Sequence, residues 1–176
     1  MLDFTDSTRP VEIAYFDRGP VDGEKLITGG FWSTYFYDGR IYGSEITRGV
    51  DVLALQPSEH LTANEIAAAT LARADRTFNP QQQFSVTWQD DPVVALAYVD
   101  QMARGRALDA GLESDLRAAL GTARDALAGT GPAPDRASVA ERLRSLAGAV
   151  ENTTGGDVQR RAALARTLQG MAVRLK

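Results

Sequence analysis

The sequence predicts an α+β protein: an N-terminal antiparallel β meander followed by a C-terminal antiparallel helical bundle. Three observations predict it. Residues 31–55, FWSTYFYDGRIYGSEITRGVDVLAL, hold six of the 13 aromatics and alternate with a period of two. After Thr62 the apolar period changes to 3.6 residues and stays there. From Asp91 onward, helix-capping residues and Gly/Pro breaks divide the chain into segments of helical length.

The elements follow in chain order. Leu2-Asp3-Phe4 reads as a strand, and Asp6 to Pro10 as a turn-rich link. Val11 to Phe16 alternates, with Val11, Ile13 and Tyr15 on one face. Asp17 to Gly23 is a loop, and Leu26-Ile27 reads as a short strand before Gly29-Gly30. Asp38-Gly39 stands between two β-rich runs, 34–37 and 40–42. A two-residue Asp-Gly loop favours positive φ at both positions, the type I′ hairpin turn. A second turn near Arg48-Gly49 leads to a third strand, 50–55. On the first strand Trp32, Thr34 and Phe36 point one way, and Phe31, Ser33, Tyr35 and Tyr37 the other. Neither face is clearly polar, so the sheet calls for packing partners on both sides.

Thr62-x-x-Glu65 is a capping box heading an Ala-rich helix to about Arg76. Residues 77–91 read as a linker, with a possible extended piece at 84–88. Asp91-Pro92 starts the next helix, with Asp as N-cap and Pro at the first helical position; the helix ends at Gly105. A second stripe carries Leu112, Leu116, Leu120, Ala123 and Leu127, and breaks at 129–134. A third, capped by Asp135 or Ser138, carries Val139, Leu143, Leu146 and Val150. A fourth begins at Asp157 and carries Leu164, Leu168, Met171 and Leu175. The expected organisation is therefore a β region with a trailing helix over 1–76, a linker over 77–91, and a three- or four-helix bundle over 92–176.

Composition excludes several function classes. The chain of 176 residues has no cysteine, which removes disulfides, thiolate zinc sites and cysteine nucleophiles. Its net charge of −4 argues against nucleic-acid binding, which needs a basic face. No apolar run approaches the roughly 20 residues that cross a membrane. The first residues lack a basic n-region followed by an apolar h-region.

Candidate chemistry is sparse. His60 is the sole histidine, so a protein-only zinc site and a Ser-His-Asp triad are both disfavoured, and no Gly-x-Ser-x-Gly elbow is present. No catalytic residue, metal site or cofactor is assigned. Glu45, Asp51 and Asp17 offer carboxylate pairs for glycan hydrolysis, the alternative function. Among 23 acidic residues such pairs are commonplace, and strand-edge or turn roles are favoured. Trp32, Tyr35, Tyr37 and Tyr42, with Glu45, form the candidate binding set, as a stacking platform or as inter-sheet packing.

Leu2-Asp3-Phe4-Thr5-Asp6 and Pro10-Val11-Glu12-Ile13 form an apolar-Asp-apolar strand, a Ser/Thr-Asp turn and a Pro-led strand. The pattern recurs, degenerate, at Val50-Asp51-Val52-Leu53. With 32–39 and 41–45 as middle strands of a blade, residues 1 to about 75 resemble the end of an LVIVD-repeat protein. That bacterial and archaeal family is built as β-propellers. The resemblance implies a secreted or cell-surface protein, without established catalytic chemistry, acting as a binding or interaction module. It also implies an incomplete propeller, since about four to eight blades close one. The expected partners are then protein: the remaining blades, or a second copy of the chain.

Overall fold

A computed structural model describes residues 1–72, 86–129 and 135–176. The architecture is α+β: short antiparallel strands first, then helices. The chain divides into two compact units, Met1–Thr87 and Trp88–Lys176.

In the first unit, β1 (Leu2–Asp3) and β2 (Val11–Glu12) pair antiparallel, Leu2 opposite Glu12 and Asp3 opposite Val11. The link between them is built from side-chain turns. Asp3 accepts from the Thr5 amide (2.8 Å) and Asp6 from the Thr8 amide (3.0 Å). The strand expected to reach Phe16 ends at Glu12, because its two-residue partner ends there. Ile13 instead donates its N–H to the Met1 carbonyl (3.0 Å), and the Met1 ammonium donates to the Ala14 carbonyl (2.6 Å).

The meander is β3 (Phe31–Tyr37), β4 (Arg40–Glu45) and β5 (Gly49–Leu53), in that spatial order. Asp38 and Gly39 adopt φ of 47° and 74°, the type I′ geometry that their identity predicts. The ladder sets Tyr35 opposite Tyr42 and Tyr42 opposite Val52, with Phe36, Ile41 and Leu53 as the adjacent row. Register slips at Trp32: Phe31 faces Glu45, while Ser33 faces Ser44. Trp32 is thus the extra residue of a β-bulge, and the bulge turns Phe31 to the face opposite Tyr35. This corrects the expected faces, which assume strict alternation from 31 to 37.

Phe31 lies over Gly43, where a Cβ would come within 2.5 Å of its ring. Only glycine admits the ring this close. Phe16 packs against Phe31 (centroids 6.2 Å apart, planes at 49°), and the Arg18 guanidinium lies 5.9 Å from the Phe16 centroid. Arg18 also grips Asp51 with both terminal nitrogens (2.9 and 2.6 Å). Phe16 and Arg18 therefore overlie the Phe31/Gly43/Asp51 face of the sheet. Leu26-Ile27 forms no strand. Asp22 accepts from the Glu24 and Lys25 amides (2.8 and 3.0 Å) and turns the chain just before Leu26, whose side chain is fully exposed.

Helix α1 (Ala63–Thr70) starts at the capping box. Glu65 donates its N–H to the Thr62 hydroxyl (3.2 Å), and Thr62 donates its own to the Glu65 carboxylate (2.7 Å). The helix is described to Thr70, and its expected continuation to Arg76 lies outside the described residues past Ala72. Of the expected extended piece at 84–88, residues 84 and 85 lie outside them too; Thr87 makes an isolated bridge.

The second unit consists of α2 (Pro92–Arg104), α3 (Ala110–Ala128), α4 (Arg136–Glu151) and α5 (Val158–Arg174). Asp91, Asp109, Asp135 and Asp157 cap them, each accepting a backbone N–H of the first turn. Each helix packs against its sequence neighbour, and α2 also meets α5, which closes a four-helix ring. Arg136 donates to the Arg174 carbonyl (3.1 Å) and Arg174 to the Asp90 carbonyl, so α4 and α2 begin where α5 ends. Gly155 and Gly156 touch Ala107, which puts the α2–α3 and α4–α5 corners at the other end. The topology is up-down-up-down.

Leu116, Leu120, Leu143, Leu146, Leu164 and Leu168 are buried in a single cluster, as their spacing predicts. Leu112 and Leu127, at the ends of their stripe, are partly buried against it. Polar ties also join the helices. Arg117 of α3 donates to Asp100 of α2 (2.7 Å) and to Glu113 one turn back (2.9 Å).

Candidate functional site

One face of the meander is open to solvent, and on the opposite face Phe36, away from Phe16, is also 37% exposed. Pleating and register put Ser33, Tyr35 and Tyr37 of β3 on the open face, with Arg40, Tyr42 and Ser44 of β4 and Val50 and Val52 of β5. Tyr35, Tyr37, Tyr42, Val50 and Val52 are 41, 54, 37, 72 and 58% exposed. Tyr35, Tyr42 and Val52 form a row straight across the three strands. Tyrosine suits such a surface, since its ring supplies apolar area and its hydroxyl a hydrogen bond. Three of the expected binding residues, Tyr35, Tyr37 and Tyr42, therefore share one face. Trp32, the fourth, stands at the bulge and is 81% exposed.

Glu45 does not join them. It lies on the Phe31 side of β4 and is only 5% exposed. One carboxylate oxygen accepts from the Gly30 amide (2.8 Å), and the other from the Thr47 amide (2.9 Å) and the Arg48 amide. The Gly30 N–H contributes most to holding its pKa below the ordinary 4.5, and the Arg48 and Thr47 amides add to it against burial. Around it Thr47 donates its hydroxyl to the Thr28 carbonyl (2.6 Å), and Arg48 its guanidinium to the Pro20 carbonyl (2.7 Å). Glu45 is a clasp between the β4–β5 turn and the 20–30 loop. The correction has a local cause. An acid two and three residues before free turn amides satisfies them, and strand alternation alone does not reveal this.

The carboxylates of the alternative reading are likewise engaged. Asp51 is held bidentately by Arg18, and Asp17 accepts from the Gly19 amide (2.8 Å). A glycosidase's general acid needs a raised pKa, and Glu45 is shifted the other way. His60 lies beside Glu59 (Nε2 to Oε1 3.5 Å) and donates its amide to the Ser58 hydroxyl (3.2 Å). Among the described residues, no group of three or more His, Cys, Asp or Glu side chains is placed to hold a metal ion. No helix among them is long and apolar enough to cross a membrane.

The bundle carries a separate open concavity of about 840 Å³ at the Ala107/Gly155 end, floored by Leu108, Leu112 and Leu146. On its wall Arg142 is paired with Asp115 at 2.8 Å. Position in sequence does not reveal this concavity, because its lining comes from two helices, α3 and α4, and two corners. No family model, curated protein or solved structure matches this chain.

Proposed function

We propose that the chain is a non-enzymatic interaction module whose exposed Tyr/Val sheet face docks against another β-sheet. The observation that carries the reading is the asymmetry of β3–β5. Phe16 and Arg18 overlie one face, while the other presents Tyr35, Tyr42, Val50 and Val52 to water. Adjacent exposed apolar residues of this kind mark interaction surfaces in water-soluble chains. Aligned sheets pack about 10 Å apart through such faces.

The resemblance of residues 1–75 to LVIVD repeats supports a partner of the same kind, the neighbouring blades of a propeller. It also supports a place for the chain in a secreted or cell-surface protein. The test is light scattering on the purified chain mixed with an LVIVD-repeat propeller that lacks its last blade. The proposal expects a stoichiometric complex that Tyr35→Glu combined with Tyr42→Glu abolishes. A complex unaffected by those changes, or no complex, refutes it.

A further inference from the structure

β5 is the open side of the meander. It is hydrogen-bonded to β4, and among the described residues no other backbone group is bonded to Gly49–Leu53. The opposite outer strand, β3, is interrupted by the bulge at Trp32. Bulges, prolines and lysines are the devices that spoil an edge for further pairing. β5, of sequence GVDVL, has a regular register and neither proline nor lysine. Its one charge, Asp51, is already neutralised by Arg18.

The strand is symmetric about that charge, in the order Val50-Asp51-Val52. We propose that β5 pairs antiparallel with β5 of a second copy of this chain, about a twofold axis at Asp51. Val50 of each copy then stands opposite Val52 of the other, and the two meanders become one continuous sheet. The charges complement one another as well. Two bare aspartates facing across strands repel, but each copy brings its own Arg18–Asp51 pair, so the axis carries two charges of each sign. Such an isologous contact uses both β5 edges and closes as a dimer, leaving the bulged β3 strands outermost. The inference rests on the backbone edge of β5, whereas the docking face is read from side chains; Val50 and Val52 belong to both.

The chain contains no cysteine, so single-cysteine variants report single positions. Val50 and Val52 are exposed, so both sites tolerate the change. Directly opposed residues have Cα atoms about 4.5–5.5 Å apart, within disulfide reach of about 4.4–6.8 Å. Diagonal neighbours are about 7–8 Å apart, and stacked sheets about 10 Å. Mixed Val50→Cys and Val52→Cys full-length chains are therefore expected to cross-link on oxidation about tenfold faster than either variant alone. By light scattering the unmodified chain is expected at twice the monomer mass. Val50→Lys combined with Val52→Lys returns it to monomer with unchanged circular dichroism. A mixture that cross-links no faster than the single variants, a monomer at every concentration, or a dimer that survives the lysines overturns the proposal.

Discussion

At Glu45 a single carboxylate ties together two segments far apart in sequence, and that makes it sensitive to pH. Its pKa in the folded chain lies below 4.5. The clasp is therefore fully present above the unfolded value and is lost as pH falls through the folded one. Measured against the intrinsic exchange rate at each pH, protection of the Gly30, Thr47 and Arg48 amides is expected to be lost as pH falls below the ordinary 4.5 of a glutamate, before protection within α2–α5 is. Glu45→Gln should produce the same local loosening at neutral pH. Gly43→Ala puts a methyl into the Phe31 ring, which must shift from its place against Phe16. A loss of about 1–3 kcal/mol is expected in chemical denaturation, the range for overpacking a filled site. Neither role is legible along the strand. Glu45 and Gly43 take their meaning from Gly30 and Phe31, which only the fold brings to them.

The elements divide by how local their causes are. Every described helix begins at an acid or threonine that accepts an N–H two or three residues on, so Thr62, Asp91, Asp135 and Asp157 are visible in the sequence as caps. The apolar stripes also repeat within one helix, which makes the bundle core legible from Leu116 to Leu168. The Asp38-Gly39 turn is equally local. The sheet is not. The bulge at Trp32 reverses Phe31, the strand expected at Leu26-Ile27 does not form, and β2 stops where β1 does. These outcomes depend on pairing between segments, and pairing leaves no periodic mark. Two measurements probe this scale. Leu143→Ala, at a fully buried site, is expected to lower stability by about 2–5 kcal/mol in thermal or urea unfolding. Thr62→Ala, which removes one half of the capping box, is expected to lower it by about 0.5–2 kcal/mol.

For the molecule as a whole, the β unit and the helical unit present different surfaces. The bundle closes its apolar stripes among its own four helices. The meander leaves Tyr35, Tyr42, Val50 and Val52 exposed, although Phe16 and Arg18 overlie its other face. The central claim is that this face is a docking surface. Hydroxyl-radical footprinting of the dilute chain, alone and with an LVIVD-repeat propeller lacking its last blade, tests it most directly. Alone, Tyr35, Tyr37 and Tyr42 are expected to oxidise readily. With the propeller they should become protected together, while exposed Val158 and Val173 of the bundle keep their reactivity. Protection confined to the bundle, or tyrosines that react equally in both samples, would contradict the account.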